Sequence, residues 1–145
     1  MNIAIINGPN LNLLGIRETG IYGTIGFDSF LSGLKSQYPG HQISYFQSNI
    51  EGELIDRMHQ CCQDGTEAIL LNAGAYTHTS IALADAVAAI PLPVLEIHIS
   101  NVLAREDFRK TSFIAAKCIG SISGLGLKGY ELGLLYFIQT TSTNG

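Results

Sequence analysis

Short apolar runs alternate along the chain with longer segments in which apolar residues recur at helical spacing. The runs are rich in Ile, Val and Leu and are bounded by Gly, Pro and Asn, which is typical of buried strands. This alternation is the pattern of βαβ units built around a parallel sheet. The predicted strands are residues 2–7, 42–47, 67–72, 94–98 and 117–123, and the predicted helices are residues 28–38, 51–64, 79–89 and 127–138.

Five parallel strands with crossover helices predict a three-layer α/β fold. The expected strand order is the flavodoxin-like 2-1-3-4-5, with helices on both faces. No long helix is predicted after the fourth strand, where the polar residues 100–107 form a loop followed by a short helical turn. A chain of 145 residues, 46% hydrophobic and 14% charged, has the size and composition of one folded domain, so we expect a single domain over residues 1–145.

Charge and hydropathy exclude two classes of partner. The formal charge of -4 argues against a nucleic-acid-binding surface, which needs a concentrated cationic face. Met1 leads into an apolar segment without a cationic flank, and no apolar run approaches the roughly 18 residues that cross a bilayer. We expect no membrane partner and a cytoplasmic location.

The cysteines and histidines do not have the spacing of a disulfide framework or a metal site. Of the three cysteines, Cys61 and Cys62 are adjacent and Cys118 stands alone, which indicates reduced, partly buried thiols. The four histidines are scattered, without the paired spacing of zinc ligands. The sequence therefore predicts no metal.

Ligands of open parallel sheets bind beyond the carboxyl ends of the strands. Three predicted strands are followed there by unusually polar segments, which could line one cleft. These segments are Gly8-Pro9-Asn10-Leu11-Asn12, Ala73-Gly74-Ala75-Tyr76-Thr77-His78-Thr79-Ser80 and Ile99-Ser100-Asn101. Asn, Gly, Pro, Ser and Thr also serve turns and helix caps, and a helix cap is the alternative interpretation of Thr79 or Ser80. Each loop taken alone therefore leaves both interpretations open.

Distinctive motifs are spread over nearly the whole chain. The amino-terminal motif is Asn7-Gly8-Pro9-Asn10-Leu11-Asn12-Leu13-Leu14-Gly15, followed by Arg17 and Tyr22-Gly23. The later motifs are Gln47-Ser48-Asn49, Glu51-Gly52-Glu53-Leu54-Ile55-Asp56, Leu71-Asn72-Ala73-Gly74, Thr77-His78-Thr79-Ser80, Glu96-Ile97-His98-Ile99-Ser100-Asn101, Ala104-Arg105-Glu106, Phe108-Arg109 and Gly124-Leu125-Gly126. In residues and in order, these motifs resemble those of the type II 3-dehydroquinate dehydratases.

The resemblance implies elimination of water from 3-dehydroquinate through an enolate, giving 3-dehydroshikimate. It makes Tyr22 the base that accepts the proton, although a free phenol has a pKa of about 10. A nearby guanidinium stabilises tyrosinate, and the resemblance gives Arg17 that part. It makes His98 the acid that protonates the leaving hydroxyl, and Asn10 the residue that stabilises the enolate oxygen. Each of these residues taken alone would be an ordinary loop or strand-end side chain.

By the same resemblance, the substrate carboxylate binds at Ile99, Ser100 and Asn72. His78 and Arg109 bind elsewhere on the substrate ring.

The resemblance also implies an assembly. Asp85, on the third predicted helix, resembles a residue that completes a neighbouring subunit's site, although an exposed helix carboxylate is an equally plain interpretation. The implied homo-oligomer is a dodecamer of four trimers, and no cofactor is implied. Residues 17–24 are similar to a lid that closes over substrate.

Two other classes compete with this interpretation. Gly124-Leu125-Gly126-Leu127-Lys128-Gly129 fits the GxGxxG pattern of a nucleotide- or flavin-binding module, but it follows the last strand, and no acidic residue lies at the ribose-binding offset. A non-catalytic assembly protein is the second alternative, because fold alone does not establish function. Retention of Tyr22, Arg17 and His98 favours the enzyme.

Overall fold

The computed structural model describes residues 1–16 and 26–142, and within them five parallel strands form one sheet in the order β2-β1-β3-β4-β5. The predicted fold and strand order are confirmed. The elements are β1 (Asn2–Asn7), α1 (Phe27–Gln37), β2 (Gln42–Gln47), α2 (Glu51–Cys61), β3 (Ala68–Asn72), α3 (Ile81–Ala89), β4 (Val94–His98), β5 (Gly120–Ser123) and α4 (Lys128–Ser142).

Alternate residues of the central strands supply two separate hydrophobic cores, because successive side chains of a strand point to opposite faces. On one face Ile5 and Leu70 pack with α1 and α4, and on the other face Ile6 and Leu71 pack with α2 and α3. Strands β1, β3 and β4 are therefore buried on both sides, as their nearly continuous apolar sequences predict.

The strand register brings the functional ends together. Asn7 at the end of β1 is the partner of Asn72 at the end of β3, and His98 at the end of β4 is the partner of Ser123. The loops that follow these strands consequently leave the same edge of the sheet. The amide of Gly8 donates to the Asn72 carbonyl oxygen at 2.7 Å, which extends the pairing one residue beyond the strands.

Several predicted helix boundaries need correction. The helix predicted over residues 51–64 ends at Cys61, because the following residues form a turn in which the Asp64 carboxylate accepts from the Thr66 amide and Gly65 has a positive φ of 85°. The helix predicted over residues 127–138 starts one residue later and continues to Ser142, where the terminal Ser and Thr hydroxyls donate to carbonyls one turn earlier. The helix predicted over residues 28–38 lies one residue earlier.

The remaining corrections involve tight turns. The helix predicted over residues 79–89 begins at Ile81, because Gly74–His78 is a 3₁₀ turn and the Ser80 hydroxyl caps the helix by accepting from the Leu83 amide at 2.9 Å. The strand predicted over residues 117–123 begins at Gly120, after a 3₁₀ turn at Ala115–Lys117. The strand predicted over residues 67–72 begins at Ala68. Residues 100–107 lead through a 3₁₀ turn at Val102–Ala104 into a second at Asp107–Lys110.

Candidate active site

A cleft lies at the carboxyl edge of the sheet, where the sequence predicted it. Its walls come from the loops after β1, β3 and β4, together with the 3₁₀ turns that follow β4. The predicted site residues that line it are Asn10, Asn72, His78, His98, Ile99, Ser100 and Arg109. Segments that are far apart in sequence therefore meet around one concave surface.

The other predicted site features are not among the residues that line this cleft. Tyr22, Arg17 and the lid proposed for residues 17–24 fall outside the described residues. Asp85 is exposed on α3 and does not line the cleft formed by the described part of its own chain. Its predicted role at a neighbouring subunit's site remains a prediction.

The loop after β1 holds Asn10 in a left-handed backbone conformation, with φ at 67°. Asn adopts this conformation more readily than most residues. The Asn10 amide donates to the Asn49 side-chain oxygen at 2.9 Å, and Gln47 Nε2 donates to the same oxygen and to the Gly8 carbonyl. Side chains at the end of β2 thus fix the loop that presents Asn10 to the cleft.

His98 forms a buried pair with Glu96 two residues earlier on the same face of β4. The imidazole Nε2 lies 2.5 Å from Glu96 Oε1, and both residues are buried. The carboxylate also accepts from the Ser112 hydroxyl at Oε1 and from the Ser121 hydroxyl at Oε2, each at 2.9 Å. Burial opposes the charge of Glu96, but the bond and charge of His98 and the two serine bonds outweigh it and lower the Glu96 pKa. An ionised carboxylate therefore fixes the orientation of the His98 ring.

His78 stacks on His98 with the ring centres 6.2 Å apart and the planes inclined by 23°. Its Nδ1 lies 2.7 Å from the Thr111 carbonyl oxygen, which can only accept, so Nδ1 carries a proton. Burial lowers the pKa of His78, the Thr111 bond opposes this, and the nearby His98 and Arg109 charges lower it further. A neutral His78 consequently has its Nε2 as a hydrogen-bond acceptor.

The residues after β4 offer positive charge and hydrogen-bond donors. Arg105 Nη1 donates to the Ser100 hydroxyl at 3.2 Å, and Arg109 Nε donates to the Glu106 carboxylate at 2.6 Å. Glu106 lies largely in solvent, whereas both guanidiniums are mostly covered at the cleft wall. Two arginines against one exposed carboxylate make this wall suited to an anionic ligand.

Glu96, which has no predicted role, is bonded directly to His98. The sequence does contain a signal for it: two polar residues, Glu96 and His98, are separated by one position in an otherwise apolar strand. Side chains at i and i+2 of a strand lie on the same face, so a buried pair was predictable from that spacing.

The glycine-rich segment after β5 has a structural role. The amides of Gly124 and Gly126 donate to the carbonyls of His98 and Ile99, so they are not available to cradle a phosphate. Gly124 has a positive φ of 85°, and a Cβ there would lie 3.1 Å from Asn101. The segment therefore ties β5 to the end of β4, and a nucleotide-binding loop is not favoured.

The described residues contain neither a metal-binding cluster nor a membrane-spanning helix. Within residues 1–16 and 26–142, no group of three or more His, Cys, Asp or Glu is arranged to hold a metal ion. In the same ranges, no helix is long and apolar enough to cross a membrane.

Sequence comparisons give one family over almost the whole chain. Residues 1–138 match the family model described as dehydroquinase class II. The 3-dehydroquinate dehydratase of Caldicellulosiruptor bescii is 49% identical over 134 residues, covering 91% of this chain and 92% of that protein. The 3-dehydroquinate dehydratase of Fusobacterium nucleatum is 46% identical over 144 residues, covering 96% of this chain and 97% of that protein.

Two solved structures that are similar to this chain are also type II dehydroquinases. The type II dehydroquinase of Butyrivibrio crossotus superposes with a TM-score of 0.89 at 42% identity, covering 92% of this chain and 94% of that one. The type II dehydroquinase of Propionibacterium acnes superposes with a TM-score of 0.88 at 40% identity, covering 94% of each chain.

Proposed function

We infer that this chain, which belongs to the class II dehydroquinase family, is a hydro-lyase of the shikimate pathway that converts 3-dehydroquinate into 3-dehydroshikimate. The observation that carries the inference is the cleft itself. It places a carboxylate-oriented histidine beside a wall with two arginines, at the carboxyl edge of a sheet that superposes on type II dehydroquinases. This combination provides a proton donor next to an anion-binding surface.

His98 acts as the general acid that protonates the departing hydroxyl. Support for this role comes from its position at the cleft and from its bond to Glu96, because a fixed imidazole can deliver a proton along one direction. Glu96 touches no substrate in this scheme and is a positioning residue for His98. The serines that donate to Glu96 keep its carboxylate in place.

Tyr22 acts as the base that removes the proton beside the ketone, and Arg17 stabilises its tyrosinate form and the transition state. This assignment rests on the motif shared with the family. Asn10 stabilises the enolate oxygen, directly or through a water molecule. Its support is the anchored, left-handed loop that holds Asn10 at the cleft.

The substrate carboxylate binds to the backbone of Ile99, the Ser100 hydroxyl and the Asn72 amide. Backbone amides beyond a strand can hold an anion without a fixed charge, and Arg105 adds charge behind Ser100. His78 and Arg109 contact the hydroxyls elsewhere on the substrate ring. An acceptor at His78 Nε2 fits a substrate hydroxyl, which is itself a donor.

The functional unit is an oligomer in this proposal. We propose a dodecamer of four trimers in the cytoplasm, in which Asp85 reaches the site of a neighbouring subunit. The exposure of Asp85 on α3 supports this placement, because an exposed carboxylate is accessible to another copy. Each subunit is one catalytic domain, since both hydrophobic cores pack on the same sheet. The reaction proceeds without a cofactor.

A Schiff-base route requires a lysine at the substrate. All four lysines lie in the described residues, and none lines the cleft. Borohydride added with substrate should therefore leave turnover intact. Irreversible inactivation by borohydride would contradict the enolate route.

Replacement of Tyr22 tests the proposed base. Tyr22→Phe should abolish turnover of 3-dehydroquinate while leaving folding and assembly unchanged, because only the phenol oxygen is lost. Tyr38→Phe is the matched control. The Tyr38 hydroxyl donates to Glu131 at 2.8 Å, and neither residue lines the cleft of the described structure. Retained turnover in Tyr22→Phe would remove Tyr22 from the mechanism.

A further inference from the structure

Tyr130 on α4 is fully buried but carries a polar hydroxyl that reaches the carboxyl edge of the sheet. Its oxygen accepts from Asn72 Nδ2 and its hydrogen is donated to Asn7 Oδ1, each at 2.8 Å. Asn7 and Asn72 are paired residues at the ends of β1 and β3. A chain of buried hydrogen bonds thus connects the first strand, the last helix and the cleft residue Asn72.

The Gly74 amide determines which atoms donate and which accept in this chain of hydrogen bonds. The backbone amide of Gly74 donates to Asn72 Oδ1 at 3.1 Å, so the amide oxygen of Asn72 must face Gly74 and its nitrogen must face Tyr130. The Tyr130 oxygen then acts as acceptor, and its hydrogen must find a separate acceptor. Asn7 Oδ1 is that acceptor, which leaves one consistent arrangement of donors.

The ring of Tyr130 is held as firmly as its hydroxyl. It packs edge-on against Phe27 with centroids 5.1 Å apart and against Phe30 at 6.0 Å. Burial raises the pKa of Tyr130 far above that of a free phenol, against the opposing bond from Asn72. The hydroxyl therefore stays neutral and keeps the hydrogen that it donates to Asn7.

We propose that Tyr130 is a positioning residue that fixes the Asn72 amide in one orientation, so that Asn72 offers the substrate carboxylate a hydrogen-bond donor. One Nδ2 hydrogen of Asn72 is committed to Tyr130, and the other is the donor that remains for the cleft. A flipped amide would present its oxygen to the carboxylate and repel it. The inference rests on the proposed function and explains how this site selects an anionic group.

The test is a double-mutant cycle on steady-state kinetics with 3-dehydroquinate. Tyr130→Phe should raise KM by about five- to twentyfold with kcat changed less than about twofold, because the lost contact serves ground state and transition state alike. Asn72→Ala should raise KM at least as much. In the double variant, the KM should equal that of Asn72→Ala alone, because Tyr130 acts only through Asn72.

Tyr38→Phe is the control for a purely structural effect. It removes another phenol hydrogen bond to α4, at Glu131, and should leave KM unchanged. If Tyr130→Phe does not fold, Asn7→Ala replaces it in the cycle, because this change removes the acceptor that orients the Tyr130 hydrogen. In that cycle, the double variant should again have the KM of Asn72→Ala alone.

An unchanged KM in folded, assembled Tyr130→Phe would overturn the inference. The inference would also be overturned if the KM increase of the double variant equalled the product of the two single-variant increases. Tyr130 would then act independently of Asn72. Absence of turnover in the unsubstituted chain would instead overturn the proposed function. The two failures are therefore distinguishable in the same assay.

Discussion

At the scale of single residues, the site depends on buried polar groups whose oxygens are satisfied by neighbouring side chains. Glu96 is 2% exposed but remains a carboxylate, because His98, Ser112 and Ser121 satisfy its oxygens. A buried charge of this kind is stable only when its partners are in place. A substitution that removes the charge but keeps the shape of the side chain should therefore lower the rate of catalysis while the chain still folds.

Glu96→Gln should lower kcat by about ten- to a hundredfold with little change in KM. The neutral amide cannot stabilise a cationic imidazole, which is the form that the proposed general acid requires, and general acid catalysis contributes about a hundredfold or more to such reactions. Steady-state kinetics measure both constants. Asp56→Asn, at an exposed carboxylate on α2, is the control. An unchanged kcat would show that His98 does not act through Glu96.

Glu96 should also make stability depend on pH. Its pKa in the folded chain lies below its ordinary value of 4.5, so its contribution is present above pH 4.5 and is lost as pH falls through the folded value. Glu96→Gln should flatten this dependence. Urea unfolding midpoints measured below pH 4.5 should fall less steeply in the variant than in the unsubstituted chain, and equal slopes would contradict the assignment.

The extent to which the sequence predicts the site differs between residues. Asn10, His78 and His98 were predictable because they follow strands whose carboxyl ends must share one edge. The bonds of Tyr130 to Asn7 and Asn72 were not, because they join positions 123 and 58 residues apart. Periodicity predicts which face of an element is buried, but it does not predict which polar atoms meet across elements.

At the scale of elements, apolar patterns predict the interior of each strand and helix better than its ends. The interiors of β1 and β3 follow from continuous apolar runs. The ends depend on local hydrogen bonds, such as the Ser80 cap and the Asp64 turn, which can extend or stop an element without changing its apolar pattern. Strand β5 is shorter than predicted for the same reason. Residues Ala115–Lys117 form the local hydrogen bonds of a 3₁₀ turn, and the strand begins only at Gly120.

Packing of α4 on the sheet requires a glycine at position 133. A Cβ there would lie 2.7 Å from Leu70 Cδ2 and 3.1 Å from Leu95 Cδ2. Gly133→Ala should therefore destabilise the fold by about 1–3 kcal/mol through overpacking. Gly33→Ala in α1 has no atom within 4 Å of the new Cβ and should stabilise by roughly 0.5–1 kcal/mol.

Urea denaturation of the two glycine variants separates packing from helix propensity. Both substitutions improve the propensity of a helix interior, so only the contact with the sheet differs. Equal stabilisation in both variants would mean that α4 does not approach the sheet as closely at Gly133.

At the scale of the whole molecule, an acidic chain has a cleft wall that suits an anion. The net charge is -4, but Arg105 and Arg109 both line the cleft. Local placement of charge, rather than net charge, determines which ligand the site attracts. Assembly is a second proposal at this scale, because Asp85 does not line the cleft that residues 1–16 and 26–142 form.

Subunit complementation tests the proposed role of Asp85. Asp85→Asn should lower turnover, and Tyr22→Phe should abolish it. Unfolding and reassembling the two variants together should restore activity, because roughly a quarter of randomly mixed sites combine an intact Tyr22 with a neighbour's intact Asp85. Mixed assemblies no more active than the average of the parents would place Asp85 outside the neighbouring site.

The most direct test of the proposed reaction is to mix purified, metal-free protein with 3-dehydroquinate and follow the ultraviolet enone absorbance of 3-dehydroshikimate. We expect the absorbance to rise without any added cofactor and at a rate proportional to protein concentration. No rise from a folded, assembled sample would contradict the assignment of this chain as a 3-dehydroquinate hydro-lyase.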